Sequence, residues 1–256
     1  MTPAEYANKI ISEFSINSAP ALTLDAIFKH YNIAVQTSEF NDTNYCGSLH
    51  RKGEQTVIII NTDIKNDGRI NFTKSHELGH FYMKHNGNSF ICNSQDLHLN
   101  HSLDKPKEVE ANQFASTFLM PEKMIKPIVH TSPFNFDTIG FIRKHFAVSK
   151  LSAGLKILDY TYGDYALIAS HKGIITHVKL SQNLNGKISL PKVKTALPED
   201  SFAHGILTTS IQMNDYAEIE SKVWLSSQHK TYSIFEHSRA DKKSDACLTL
   251  LNFIKK

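Results

Sequence analysis

The chain is short of the features that mark several large protein classes. It has 3 Cys in 256 residues, Cys46, Cys92 and Cys247, and no two of them stand as a CxxC pair. A scattered odd set argues against a disulfide framework and suits a reducing compartment. Charge of one sign is also scarce: 28 basic against 25 acidic residues leave a formal net charge of +3. That excess is too mild for a dedicated nucleic-acid binder, so no direct nucleic-acid binding is expected. The longest purely aliphatic run is Val57 to Ile60, far below a membrane span, so no membrane association is expected. The opening residues Met1-Thr-Pro-Ala-Glu-Tyr6 show no basic stretch leading into an apolar core, and a cytoplasmic location is expected. Apolar residues at 41% and charged residues at 21% are ordinary for a folded globular chain. One residue type is plentiful. There are 14 His, the commonest metal ligand among side chains.

Periodicity divides the chain. Ala4, Ala7, Ile10, Ile11 and Phe14 fall at helical spacing, and Leu24, Ile27, Phe28 and Tyr31 repeat the pattern after Pro20. Residues 33 to 61 read as strands, with Thr56 to Ile60 the strongest and Arg51-Lys-Gly-Glu54 as a hairpin turn. Helices follow over Ile70 to Asn86, Lys107 to Leu119, Glu122 to Val129, Phe136 to Phe146 and Ser149 to Leu158, the last with a Ser N-cap. The polar stretch 87 to 105 reads as a loop. Beyond Tyr160 the texture changes to alternating strands, at 165 to 180 around a Lys172-Gly173 turn, at 222 to 236, and at Cys247 to Ile254. A domain boundary is expected at about residue 160.

The chemistry is concentrated at His76-Glu77-Leu78-Gly79-His80, an HExxH sequence inside a helical pattern. Residues four apart on a helix lie about 40° apart around the axis and about 6 Å along it, so both imidazoles reach one ion. Glu77 is turned about 100° from His76. It cannot easily share that coordination site, but it can reach a water on the open side of the metal, as a general base must. A chance HExxH is expected roughly once in thirty chains of this composition, so the motif needs a third ligand to carry weight.

The next helix offers one. In Glu108-Val-Glu-Ala-Asn112-Gln-Phe-Ala115 two carboxylates compete. Glu108 and Asn112 are one turn apart on a shared face, so Glu108 can bind the ion while Asn112 hydrogen-bonds a ligand imidazole from behind. Glu110 points about 200° from Glu108. Glu108 is the favoured third ligand and Glu110 the alternative. Two His and a carboxylate suit zinc, with manganese not separated from it by residue types alone.

The run from Asn71-Phe-Thr-Lys-Ser75 into the HELGH, followed by Glu108 to Pro121, resembles the ImmA/IrrE family of metallopeptidases. The resemblance takes in Gly47-Ser-Leu49, Asn61, Arg69 and Phe146-Ala-Val-Ser149, and covers roughly residues 5 to 160. It implies an α+β fold class: a minimal zincin-like, gluzincin-type metallopeptidase domain over 1–160, a small mixed sheet with helices and the HExxH on its active-site helix. A smaller α+β, sensor-like domain over 161–256 is expected to follow, GAF-like by analogy, with a regulatory or partner-binding role. The resemblance further implies one Zn2+ per chain on His76, His80 and Glu108, with Glu77 as catalytic base. The implied activity is zinc-dependent, site-specific endopeptidase cleavage of a protein partner. That partner is expected to be a helix-turn-helix repressor or antitoxin, and its cutting derepresses genes of mobile elements or stress responses. Asn112 departs from the Asp that related gluzincins often carry, and withholds a negative charge from the ligand.

Other residues carry less. Tyr82, His85, His98 and His101 are near enough in sequence to stabilise an oxyanion, and none is assigned that role. Thr56 to Ile60 can either be a core strand or accept a substrate by strand addition. Cys92, Asp96, His98 and His101 match no closed zinc motif. Trp224 reads as core, and Lys242-Lys243 and Lys255-Lys256 as solvated clusters. The rival function is a non-cleaving regulator that sequesters a transcription factor or toxin–antitoxin partner. A direct DNA-binding regulator is weaker still, for want of a basic recognition helix.

Overall fold

The computed structural model describes residues 1–42, 44–93, 106–209, 213–225, 231–241 and 243–256. The chain forms two compact units, one of Met1–Ile125 with Gly140–Ser152, the other of Lys126–Ile139 with Ala153–Lys256.

The first unit opens with α1 (Pro3–Glu13), whose start is fixed by a reciprocal cap between Thr2 and Glu5. Then come α2 (Leu24–His30) and a four-stranded sheet of β1 (Ile33–Ser38), β2 (Tyr45–Lys52), β3 (Gln55–Asn61) and β4 (Ser89–Asn93). The spatial order is β1-β3-β2-β4. β1 runs parallel to β3, while the β2–β3 and β2–β4 pairs are antiparallel, so the sheet is mixed. Gly53, with φ 59°, makes the β2–β3 hairpin turn anticipated at 51–54. Between β3 and β4 lies α3 (Asp67–Tyr82), N-capped by the Asn66 side chain, and α4 (Pro106–Leu119) packs against it.

Two expectations change here. The Thr56–Ile60 segment cannot accept a substrate strand, because β3 is paired on one side by β1 and on the other by β2. The edge strand on that side of the sheet is β4, formed where a loop was expected. It lies in a polar stretch, but Phe90 and Cys92 alternate inward at a strand's period of two, and its backbone pairs with β2.

Close packing fixes α3. A Cβ on Gly79 would lie 3.0 Å from the Phe114 ring of α4. A Cβ on Gly68 would lie 2.4 Å from both the Val148 carbonyl carbon and the Ser149 nitrogen, atoms of main chain that cannot rotate away. Gly68→Ala is therefore expected to lower stability by about 1–3 kcal/mol through overpacking. Gly140 has open space around its Cβ position, and Gly140→Ala should be neutral or stabilising by about 0.4–1 kcal/mol. Denaturant midpoints compare the two, and equal midpoints would contradict the contact at Gly68.

Helices α5 (Glu122–Thr131), α6 (Phe136–Phe146) and α7 (Lys150–Leu158) follow, and the Ser149 hydroxyl accepts from Ser152 N at 3.0 Å as the expected N-cap. The second unit is built on β5 (Tyr165–His171), β6 (Ile174–Leu180), β7 (Ala217–Ile219), β8 (Tyr232–Asp241) and β9 (Ala246–Lys255). They form an antiparallel sheet in the order β6-β5-β9-β8-β7. The β5–β6 turn is at Lys172-Gly173, both at positive φ, as that dipeptide suggested. α8 (Phe202–Thr208) and α9 (Ser221–Trp224) bring Ala203 and Trp224 into a core with Ala166, Ile168, Ile234 and Leu251. Of the strand expected over 222–236, β8 takes in Tyr232 onward, whereas Ser221–Trp224 closes a helical turn that buries the indole. Beneath it the buried Glu236 carboxylate accepts from Trp224 Nε1 at 2.8 Å, Ala203 N at 2.6 Å and Ser238 Oγ at 2.8 Å.

Candidate metal centre

One turn of α3 places His76 and His80 on the face toward α4, their Nε2 atoms 3.0 Å apart. Glu108, in the first turn of α4, sets Oε2 3.0 Å from His76 Nε2 and 3.5 Å from His80 Nε2. All three residues are buried. Ligands of a tetrahedral ion with bonds of about 2.0–2.1 Å stand about 3.3 Å apart, so this triangle has the right dimensions for zinc.

The hydrogen bonds behind the ligands support that reading. Asn112 Oδ1 lies 2.9 Å from His76 Nδ1. As an acceptor it takes the Nδ1 proton and leaves the Nε2 lone pair of His76 facing the centre of the triangle. His80 Nδ1 lies 2.9 Å from His85 Nδ1, and His85 Nε2 lies 3.0 Å from Glu110 Oε2. Phe90 of β4 stacks on His80 with ring centroids 4.2 Å apart. Acceptor atoms converging in a buried space repel one another unless a cation lies among them.

The electrostatics of the metal-free side chains fit. Burial raises the Glu108 pKa, but the His76 and His80 imidazoles set against its Oε2 together outweigh that and hold the carboxylate well below its usual range. Burial brings His80 down to about 4, so it stays neutral at pH 7 and keeps a lone pair for a metal. Glu77 is fully buried, and neither carboxylate oxygen has a hydrogen-bond partner among the described residues. Burial first, then the Glu108 and Cys46 charges, push its pKa well above the ordinary carboxylate value.

The structure thus brings His76, Glu77, His80 and Glu108 to one place and sends Glu110 elsewhere, to His85. Tyr82 is also elsewhere, donating to Glu13 at 2.9 Å. Residues 94–105, including Asp96, His98 and His101, lie outside the described residues. Sequence reasoning missed the contributions of β4. Besides Phe90, it supplies Cys92, whose Sγ lies within 4.8 Å of a His76 ring nitrogen and a Glu77 oxygen. It also missed Arg51 of β2, whose Nη1 donates to His85 O at 2.7 Å and Nη2 to His80 O at 2.9 Å.

Residues 28–158 match a peptidase family described as the IrrE N-terminal-like domain. No match is found among curated proteins. Among solved structures, the chain is similar to a Mycobacterium tuberculosis transcriptional regulator, with a TM-score of 0.59 and 12% identity over 98% of this chain and 88% of that one. At that identity the likeness concerns the fold. No helix among the described residues is long and apolar enough to cross a membrane.

Proposed function

Because this chain belongs to the IrrE N-terminal-like family of peptidases, we propose that it is a site-specific zinc endopeptidase acting on a DNA-binding regulatory protein. The substrate is a helix-turn-helix repressor or antitoxin, and its cutting derepresses genes. The observation that carries the reading is the buried triangle of His76, His80 and Glu108 beside an unpartnered buried carboxylate at Glu77.

His76 and His80 through Nε2, and Glu108 through Oε2, would hold one zinc ion. Bound zinc supplies Lewis acidity to the attacking water and the scissile carbonyl. The rest is the work of this chain's side chains. Glu77 takes a proton from the attacking water at a carboxylate oxygen and hands it to the leaving amine. Among the described residues no donor competes for those oxygens, so the carboxylate is left to the reacting water. Asn112 holds the His76 ring in register. Among the described residues no strand pairs with the outer edge of β4, so a substrate backbone can add there in extended form, beside the metal ligands.

The peptidase domain is taken as residues 1–160, and 161–256 as a regulatory or partner-binding module. A cytoplasmic location fits three buried cysteines in reduced form.

The test is direct. Zinc-loaded protein is mixed with a helix-turn-helix repressor encoded beside it, and the products are weighed by mass spectrometry. A single cut that a chelator suppresses is expected. A repressor that is bound and released from its operator uncut would replace this reading with that of a sequestering regulator.

A further inference from the structure

The C-terminal end of α3 carries a second device. Met83 caps the helix, and Met83 N bonds Gly79 O at 3.0 Å. Lys84 then takes a left-handed conformation, with φ 55°. Lys84 N bonds Phe81 O at 3.1 Å and His85 N bonds His80 O at 3.1 Å. This pair of bonds is the Schellman closure, which folds the second residue past the cap back onto the residue that begins the last turn. In most helices the contact so made is apolar. Here it sets one imidazole on another, His85 Nδ1 on His80 Nδ1 at 2.9 Å.

The returned segment is held from two sides. Arg51 of β2 donates to the carbonyls of His80, His85 and Gly87. Glu110 of α4 meets His85 Nε2 at 3.0 Å. Its position two residues from Glu108, on a different face of α4, lets one helix serve the ion and the support at once.

We propose that His85, delivered by this cap and anchored by Glu110, is a positioning residue that accepts the Nδ1 proton of His80 and so turns the His80 Nε2 lone pair toward the metal. The inference rests on the peptidase reading above. The proton order follows from donor and acceptor inventory. A carboxylate only accepts, so the His85 proton sits on Nε2. A neutral imidazole has one N–H, so His85 Nδ1 presents a lone pair and must accept from His80 Nδ1–H. That leaves His80 Nε2 bare, beside His76 Nε2 and Glu108 Oε2. The opposite order would put the His80 proton on Nε2, in the place of the ion. The two histidines of the motif are therefore oriented by different means, His76 by the amide of Asn112 and His80 by an imidazole backed by a carboxylate. Such supports behind a ligand commonly control metal affinity by about 10–100-fold.

Two measurements test this. In zinc-loaded full-length protein with labelled histidines, a through-hydrogen-bond 15N–15N coupling is expected between His80 Nδ1 and His85 Nδ1, with the His85 proton on Nε2. This needs no variant and so does not depend on any variant folding. Zinc affinity, read by competition with a chromogenic chelator, should fall about 10–100-fold in His85→Ala. His85→Gln should regain most of it, because the Gln oxygen can accept the same proton, whereas a residue acting only by packing would show no such rescue. Zinc uptake by the unaltered chain without the coupling, or with affinity unchanged in His85→Ala, overturns this proposal and leaves the peptidase reading standing. No zinc uptake by the unaltered chain overturns both.

Discussion

Glu77→Gln is expected to cut peptide hydrolysis by about 10²- to 10⁴-fold, the usual worth of a general base. Zinc content should meanwhile stay at about one ion per chain. The amide has nearly the size of the carboxylate, so the α3 packing survives, but it cannot accept the proton of the attacking water. Both oxygens of Glu77 are buried and without partners among the described residues, which is costly for an ionised group. A raised pKa means the folded chain favours the neutral form, so removing the charge should not weaken the metal-free fold. Thermal denaturation of the two metal-free proteins checks that half. Undiminished cleavage by Glu77→Gln would remove Glu77 from the mechanism.

His76→Ala is expected to take zinc from about one ion per chain to almost none, as judged by elemental analysis of purified protein. Its Nε2 is the common vertex of the triangle, 3.0 Å from both His80 Nε2 and Glu108 Oε2. Two remaining ligands cannot close a site of this type. Glu108→Ala should behave likewise, whereas Glu110→Ala should still take up an ion and lose only affinity, because Glu110 supports His85 and does not touch the triangle. Added zinc should stabilise the unaltered chain by about 4 kcal/mol at a thousand-fold excess over Kd and should leave His76→Ala unmoved. A His76→Ala protein that still holds a full ion would place the metal elsewhere.

Much of this site is legible in the sequence because it is helical. The i, i+4 spacing puts His76 beside His80 and Glu108 beside Asn112, and the turn of about 200° to Glu110 separates the two carboxylates. The same arithmetic sets Asn112 behind a ligand imidazole, and the structure makes that imidazole His76. What escaped is long-range or disguised. Nothing in Thr56–Ile60 says that β1 will pair with it across β2 and leave it no free edge. β4 is hidden because only Phe90 and Cys92 of its five residues face inward. His85 is hidden for a subtler reason. A glycine after α3 would have announced a left-handed cap, but the chain places Lys84 there, a residue that rarely adopts that conformation. In the second unit, Lys222-Val-Trp-Leu225 has the composition of a strand, and only the burial of Trp224 over Glu236 shows why it coils.

That indole has an optical consequence. Trp224 is the chain's single tryptophan, 1% exposed, and it belongs to the second unit. Excited at the red edge of its absorption, the protein emits from one address. The colour of that light follows the dryness of the Glu236 contact, blue while the indole is enclosed and redder once water reaches it. Fluorescence is thus a reporter of the core of the second unit.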